Sequence, residues 1–132
     1  MSAFLDTNVI IDILRRKQES LDWLGKQTDP LFITPMVWME IVAGVRNKKE
    51  LQPTLDVLNF FQIIYPKEQD LDWAMHQQKR LRPIGMAIDI MDYFIASVCF
   101  RFATPLYTHN LKHFRPLLGD NFVVKPYTYT QD

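Results

Sequence analysis

The sequence predicts an α/β fold around a mostly parallel sheet. Two observations lead there. Short apolar runs at residues 3–6, 31–34, 61–64, 105–107 and 122–124 alternate with longer stretches of helical period. Strands that alternate with helices pair in parallel, because each crossover returns the chain in its starting direction. The second observation is size: 132 residues, 48% apolar and 23% charged, suit a single domain, residues 1–132, with its own core.

The elements follow in order. Residues 3–6 form the first strand. Asn8 can cap a helix to about Lys17, with Val9, Ile10, Ile13 and Leu14 on one side. A short helix near 20–27 ends at Thr28-Asp29-Pro30. Leu31-Phe32-Ile33-Thr34 reads as strand two, and Pro35, which has no N–H to leave unpaired, suits the first turn of a helix to about Arg46. Another amphipathic helix covers 49–59, Phe61-Gln62-Ile63-Ile64 is strand three, and a helix spans about 68–81. Arg82-Pro83-Ile84-Gly85 is a loop. The helix from about 89 to 102 is apolar on most sides and hence central, with Asp89 as its cap. Residues 105–107 and 122–124 give strands four and five, with a helix or turn over 110–118 between them.

Bulk properties exclude several classes. The lone Cys99 permits no intrachain disulfide and lies on an apolar stripe, as a small buried hydrophobe would. No signal peptide is visible, and no apolar run approaches the ~18 residues that cross a bilayer, so a cytoplasmic protein without membrane contact is expected. Zero net charge argues against a nucleic-acid coat protein. It does not exclude a nuclease, in which an acidic pocket and basic rims cancel. Three basic clusters, at Arg15-Arg16-Lys17, Arg46-Asn47-Lys48-Lys49 and Lys79-Arg80 with Arg82, read first as solvated helix faces or ends.

Three carboxylates stand where an anion is costly. Asp6 ends the opening strand, Glu40 sits within Val37-Trp38-Met39-Glu40-Ile41-Val42, and Asp92 within Ile90-Met91-Asp92-Tyr93-Phe94. No Lys or Arg lies within three residues of any of them. Glu40 shares a helical face with Val37, Ile41 and Gly44, and Asp92 with Ile88, Ile95, Ala96 and Cys99. In a parallel sheet, sites form beyond the carboxyl ends of the strands, and that rim can gather Asp6, Glu40, Asp92 and Asn110. Asp89 is a candidate for the surroundings of the site, and His113 reads first as structural. Hard oxygen donors without a countercharge suit one divalent cation, Mg²⁺ or Mn²⁺, and phosphoryl transfer by an activated water. The rival signatures are missing: there is no Walker loop, no zinc-type Cys/His cluster and no nucleophile elbow. An aspartate-nucleophile phosphatase would need an acid two residues after Asp6, where Asn8 stands.

Leu5-Asp6-Thr7-Asn8-Val9-Ile10-Ile11, Met39-Glu40-Ile41-Val42-Ala43-Gly44, Asp92-Tyr93-Phe94-Ile95-Ala96-Ser97 and Thr108-His109-Asn110 with Phe114 occur in this order. Together they resemble the PIN-domain family, and within it the short VapC-type toxins of toxin–antitoxin pairs. The resemblance implies a three-layer α/β/α fold on a five-stranded sheet and a Mg²⁺- or Mn²⁺-dependent endoribonuclease. It implies metal binding by Asp6, Glu40 and Asp92, a catalytic role for these three with Asn110, a homodimer, and a small antitoxin. Asn110 stands where the family commonly has Asp, which weakens a second metal site. His113 stands where relatives often carry an acid. The antitoxin is expected to dock beside Val9, Ile13, Trp23, Leu24 and the helix at 49–59. The alternative is a catalytically weak PIN fold kept for binding RNA or protein.

Overall fold

The computed structural model describes residues 1–130. In chain order they form β1 (Ala3–Leu5), α1 (Thr7–Leu14), α2 (Gln18–Gly25), β2 (Leu31–Ile33), α3 (Pro35–Ala43), α4 (Lys48–Leu58), β3 (Gln62–Ile63), α5 (Glu68–Leu81), α6 (Ile90–Phe102), β4 (Leu106–Tyr107), α7 (Leu111–Leu118) and β5 (Val123–Val124). A 3₁₀ turn at Arg82–Ile84 follows α5, and another at Asp120–Phe122 precedes β5. The strands lie in the order β3-β2-β1-β4-β5, and every pairing is parallel. Parallel crossovers are right-handed. The first two crossovers step outward from β1 to β3, the third returns to β4 on the other side of β1, and the last steps out to β5, so the helices divide between the two faces in a three-layer α/β/α arrangement. The strand order switches between β1 and β4, where Phe4 pairs with Leu106 and Leu5 with Tyr107.

Each strand is two or three residues long and covered by helices, which is why the runs read as apolar rather than alternating. Ala3, Phe4, Leu5, Ile33 and Leu106 are almost fully buried. Helix α6 supplies Tyr93, Ile95, Ala96, Val98 and Cys99 to the same core, as its apolar sequence requires. Burial pushes the Cys99 thiol well above its ordinary pKa, so it is inert packing.

Differences from the sequence reading concern boundaries. Helix α1 begins two residues earlier than expected, capped by Asp6 rather than Asn8; Asp6 Oδ1 accepts from the Thr7 amide at 2.8 Å. It ends at Leu14 rather than Lys17. Arg16 adopts φ 58°, while the Arg16 and Lys17 amides bond back to the Ile13 and Asp12 carbonyls at 3.0 Å each, a Schellman closure. Helix α3 stops at Ala43, short of Arg46, because Asn47 opens the next helix by accepting from the Glu50 amide. Thr34, placed in strand two by the sequence reading, instead caps α3 by accepting from the Val37 amide at 3.3 Å. Asp89 caps α6 as expected, accepting from the Met91 amide at 2.9 Å. At the start of the third apolar run, Phe61 is buried whereas its neighbour Phe60 is 81% exposed.

The carboxyl-terminal tail fastens α1. Tyr127 and Tyr129 donate their hydroxyls to Asp12 Oδ2 at 2.7 and 2.6 Å. Lys17 Nζ sits 4.7 Å from the Tyr129 ring centroid. His109 packs between the two tyrosine rings, at centroid distances of 4.8 and 4.6 Å. Its Nε2 is 3.5 Å from Asp12 Oδ2, but neither ring nitrogen makes a hydrogen bond. Burial lowers the His109 pKa, so a neutral ring stacked on tyrosines describes this contact better than an ion pair.

Candidate active site

The carboxyl ends of β1 and β4 open side by side at the switch in strand order, and the first polar side chains beyond them meet there. Asp6 follows β1 and is only 5% exposed. Its Oδ2 accepts from the Thr108 hydroxyl at 2.8 Å and more weakly from Asn8 Nδ2 at 3.4 Å. Thr108 follows β4, is fully buried, and also accepts from Asn8 Nδ2 and the Asn110 amide at 3.2 and 2.9 Å. Asn8 spends its carbonyl on the His109 amide at 3.2 Å. Thus Asn8 is not a helix cap; it ties the start of α1 to the loop after β4. Thr108 is the residue that sequence reasoning missed. A threonine after a strand reads as a turn former, and its role exists only because β1 lies beside β4.

The other acids arrive from two helices. Asp92 lies in the first turn of α6, half-buried, with Oδ2 3.3 Å from His113 Nδ1. Asn110 Nδ2 lies 2.9 Å from the same His113 nitrogen. That nitrogen cannot both accept from Asn110 and donate to Asp92, so the imidazole tautomer and the Asn110 amide orientation are linked. His113, read first as structural, is therefore part of the site. Glu40 departs most from expectation. It was placed on the buried face of its helix, yet it is exposed, although its neighbour Ile41 in the same turn is buried. Its Oε1 accepts from the Thr7 hydroxyl at 3.3 Å.

Electrostatics join these groups. The Asp6 pKa is raised, first by burial, against the hydrogen bonds from Thr108 and the Thr7 amide. Asp92 is pushed up to about 6 by burial and then by repulsion from Asp6, with a smaller contribution from Asp89. Glu40, although exposed as a residue, has its carboxyl partly shielded from water, which raises its pKa first, and repulsion from Asp6 and then Asp89 adds to the rise. None of the three acids forms an ion pair with Lys or Arg among the described residues. The structure therefore brings Asp6, Glu40 and Asp92 within electrostatic reach of one another, with Asn110 and Asp89 at the margin. It does not set them as a ligand shell: among the described residues no three His, Cys, Asp or Glu side chains stand close enough to hold an ion. Their oxygens turn instead to Thr7, Thr108 and His113. A set of carboxylates without countercharge nevertheless fits a hard divalent cation by its chemistry, since a cation relieves the repulsion that raises these pKa values.

Thr108→Val tests the bond that holds Asp6. Removing the hydroxyl takes away the largest influence that lowers the Asp6 pKa. The Asp6 midpoint, followed by side-chain carboxyl NMR, is expected to move further upward; an unmoved midpoint would assign the elevation to burial alone.

Residues 3–115 match the model of the family described as PIN domain. A curated protein called Ribonuclease VapC1, from Methanocaldococcus jannaschii, is 29% identical over 113 residues, which are 86% of this chain and 79% of its own. Among solved structures, a toxin–antitoxin complex from Klebsiella pneumoniae superposes with TM-score 0.79 at 24% identity, covering 96% of this chain and 99% of that one. VapBC2 from Rickettsia felis, bound to a DNA fragment from its promoter, gives TM-score 0.79 at 22% identity, with 95% and 98% covered. At these identities the structures speak for the fold.

Proposed function

This chain belongs to the PIN-domain family, and on that premise we propose that it is a divalent-metal-dependent endoribonuclease, the toxin of a VapBC-like toxin–antitoxin pair. One observation carries the reading. Asp6 and Asp92 lie within electrostatic reach of each other beyond the carboxyl ends of the sheet, each with a raised pKa and, among the described residues, neither paired with Lys or Arg. The similarity to a ribonuclease supports the same reading.

Asp6, Glu40 and Asp92 would hold Mg²⁺ or Mn²⁺. When bound, such an ion acidifies a water and offsets charge on a phosphodiester. The chain's own residues do the positioning. Thr108 and the Thr7 amide fix the Asp6 carboxylate, His113 lies against that of Asp92 with Asn110 on the same ring nitrogen, and Thr7 reaches Glu40. Asn110 brings no charge to this set. Its amide sits against His113, which favours a site built for one ion. The test is cleavage of RNA by the purified chain with Mn²⁺ or Mg²⁺, abolished by EDTA. A binding module would show neither cleavage nor stabilisation by saturating metal, which for a true site amounts to a few kcal/mol.

The partner's seat is a groove of about 820 Å³ between α1, α2, α3 and α4. Ile13, Leu14, Leu24, Ile41, Val57 and Phe60 line it. Arg15, Arg16, Arg46 and Lys49 lie along it as well, which suits a segment that is apolar within and acidic at its margins. Two residues expected here lie elsewhere: Val9 is fully buried in the core, and Trp23 packs edge-on against Tyr107 at 5.3 Å. We assign this groove to the antitoxin. Leu24→Asp should abolish co-purification with the antitoxin while RNA cleavage persists. Full partner retention by this variant would remove the groove from consideration. Leu58→Asp is no substitute, because Leu58 is 1% exposed and belongs to the core. The homodimer and the cytoplasmic setting belong to the same proposal. Among the described residues no helix is long and apolar enough to cross a membrane.

A further inference from the structure

A second cavity, of about 420 Å³, adjoins the acidic site. Its walls come from the end of α5, the following loop, α6 and α7, through Gln78, Arg82, Met86, Ile88, Tyr93 and His113. Two walls are shared with the site: Asp89, whose charge is felt by Asp92 and Glu40, and His113, which touches Asp92. The His113 ring therefore separates the acid cluster from a mostly apolar chamber.

The cavity's one guanidinium is uncommitted. Arg101 and Arg115 pair with Asp70 and Asp120, and Arg80 bonds Gln77 and the Pro116 carbonyl. Arg82 is exposed and has no such contact among the described residues. Gln78 is also exposed, one helical turn before it, so both polar ends reach the same opening. The Arg82–Ile84 turn ends at Gly85, whose φ of 82° a side chain would strain, and this bend folds Met86 and Ile88 back over the chamber.

We propose that this cavity seats the nucleotide next to the scissile phosphate of an unpaired RNA strand, with Arg82 on its phosphate and Gln78 on the edge of its base. The inference rests on the ribonuclease reading above and deepens it. Three features favour this occupant. The cavity opens across the His113 ring from Asp92, so a strand whose phosphate meets the acid cluster has room for a neighbouring nucleotide there. Single-stranded RNA is recognised by bases splayed into pockets, against rings or guanidinium planes, with amide side chains on their edges. Arg82 supplies positive charge where the carboxylates would otherwise repel the strand.

The experiment uses the full-length chain with 5′-labelled single-stranded RNA oligonucleotides in which the nucleotides flanking the cut are varied. Binding is read by anisotropy in EDTA, and cleavage is read with Mn²⁺. Gln78→Ala is expected to flatten the base preference at one flanking position by about tenfold. Arg82→Gln should weaken binding of every sequence about fivefold, with the loss falling on KM more than on kcat and a shallower salt dependence. Unaltered base preference and affinity in both variants would overturn the pocket and leave the nuclease standing. Binding that depends on Gln78 and Arg82 without cleavage at any divalent ion would keep the pocket and end the nuclease reading. Both residues are exposed, so matching unfolding midpoints are expected to show that the fold is intact.

Discussion

Asp92→Asn and Asp6→Asn should each lower RNA cleavage by about three orders of magnitude or more, and Asp92→Asn should also make the metal-free protein more stable. The two effects have one origin. The Asp92 carboxyl is held near pKa 6 by burial and by the neighbouring Asp6, against an ordinary 3.8. Its folded pKa lies above its unfolded one, so the folded state holds the proton more tightly. Stability therefore falls as pH rises from about 4 to about 6, and the penalty is fully present at pH 7. An asparagine removes it, for a gain on the order of 2 kcal/mol at pH 7 and none at pH 3. Asp6→Asn relieves the same repulsion, but its single amide oxygen cannot serve both the Thr7 amide and the buried Thr108 hydroxyl, so no net gain is expected there. Denaturant midpoints in EDTA at pH 3, 5 and 7 measure the first effect, and cleavage with Mn²⁺ measures the second. An Asp92→Asn variant that is destabilised at pH 7 would show that acid to be structural.

That prediction could be framed from the sequence because Asp6 and Asp92 interrupt apolar runs, and an anion in such a place needs a reason. The strands, the parallel sheet and the cap of α6 were legible on the same basis, since local period and local capping dictate them. What escaped depends on distant partners. Asp12 looks like an ordinary helix residue; it is buried only because Tyr127 and Tyr129, more than a hundred residues later, close over it. The tail that carries them has no period to read. Glu40 shared a face with Val37 and Ile41, which are buried, but its own long side chain turns to the Thr7 hydroxyl at the rim of the site, a partner 33 residues away. His113 could be placed only once α7 was seen to lean against the first turn of α6. The gap in expectation at the metal is physical as well. Sequence spacing can bring three carboxylates to one rim, but their rotamers answer to nearby hydroxyls and imidazole.

The largest effect on stability is expected away from the site, at Asp70. Its side chain is 2% exposed and meets Arg101 at 2.8 and 3.0 Å, while Arg101 Nη2 also donates to the Tyr65 carbonyl at 3.0 Å. Asp70 further accepts from the Lys67 amide at 2.7 Å, closing the first turn of α5. The pair therefore clamps the start of α5 to the last turn of α6, the helix that presents Asp92 at its other end. Asp70→Asn keeps an acceptor for the Lys67 amide but leaves the guanidinium without its countercharge. Breaking a buried pair from one side costs about 3–5 kcal/mol, or a melting point lower by about 10 °C or more in a domain of this size. Arg101→Met should cost a similar amount by stranding the carboxylate. The double variant should cost clearly less than the sum of the two, because neither charge is then left alone. Simple additivity would mean that the two groups act separately. Cleavage per folded molecule should survive in all three variants, since neither residue touches the acid cluster; its loss would show that the clamp sets the position of Asp92.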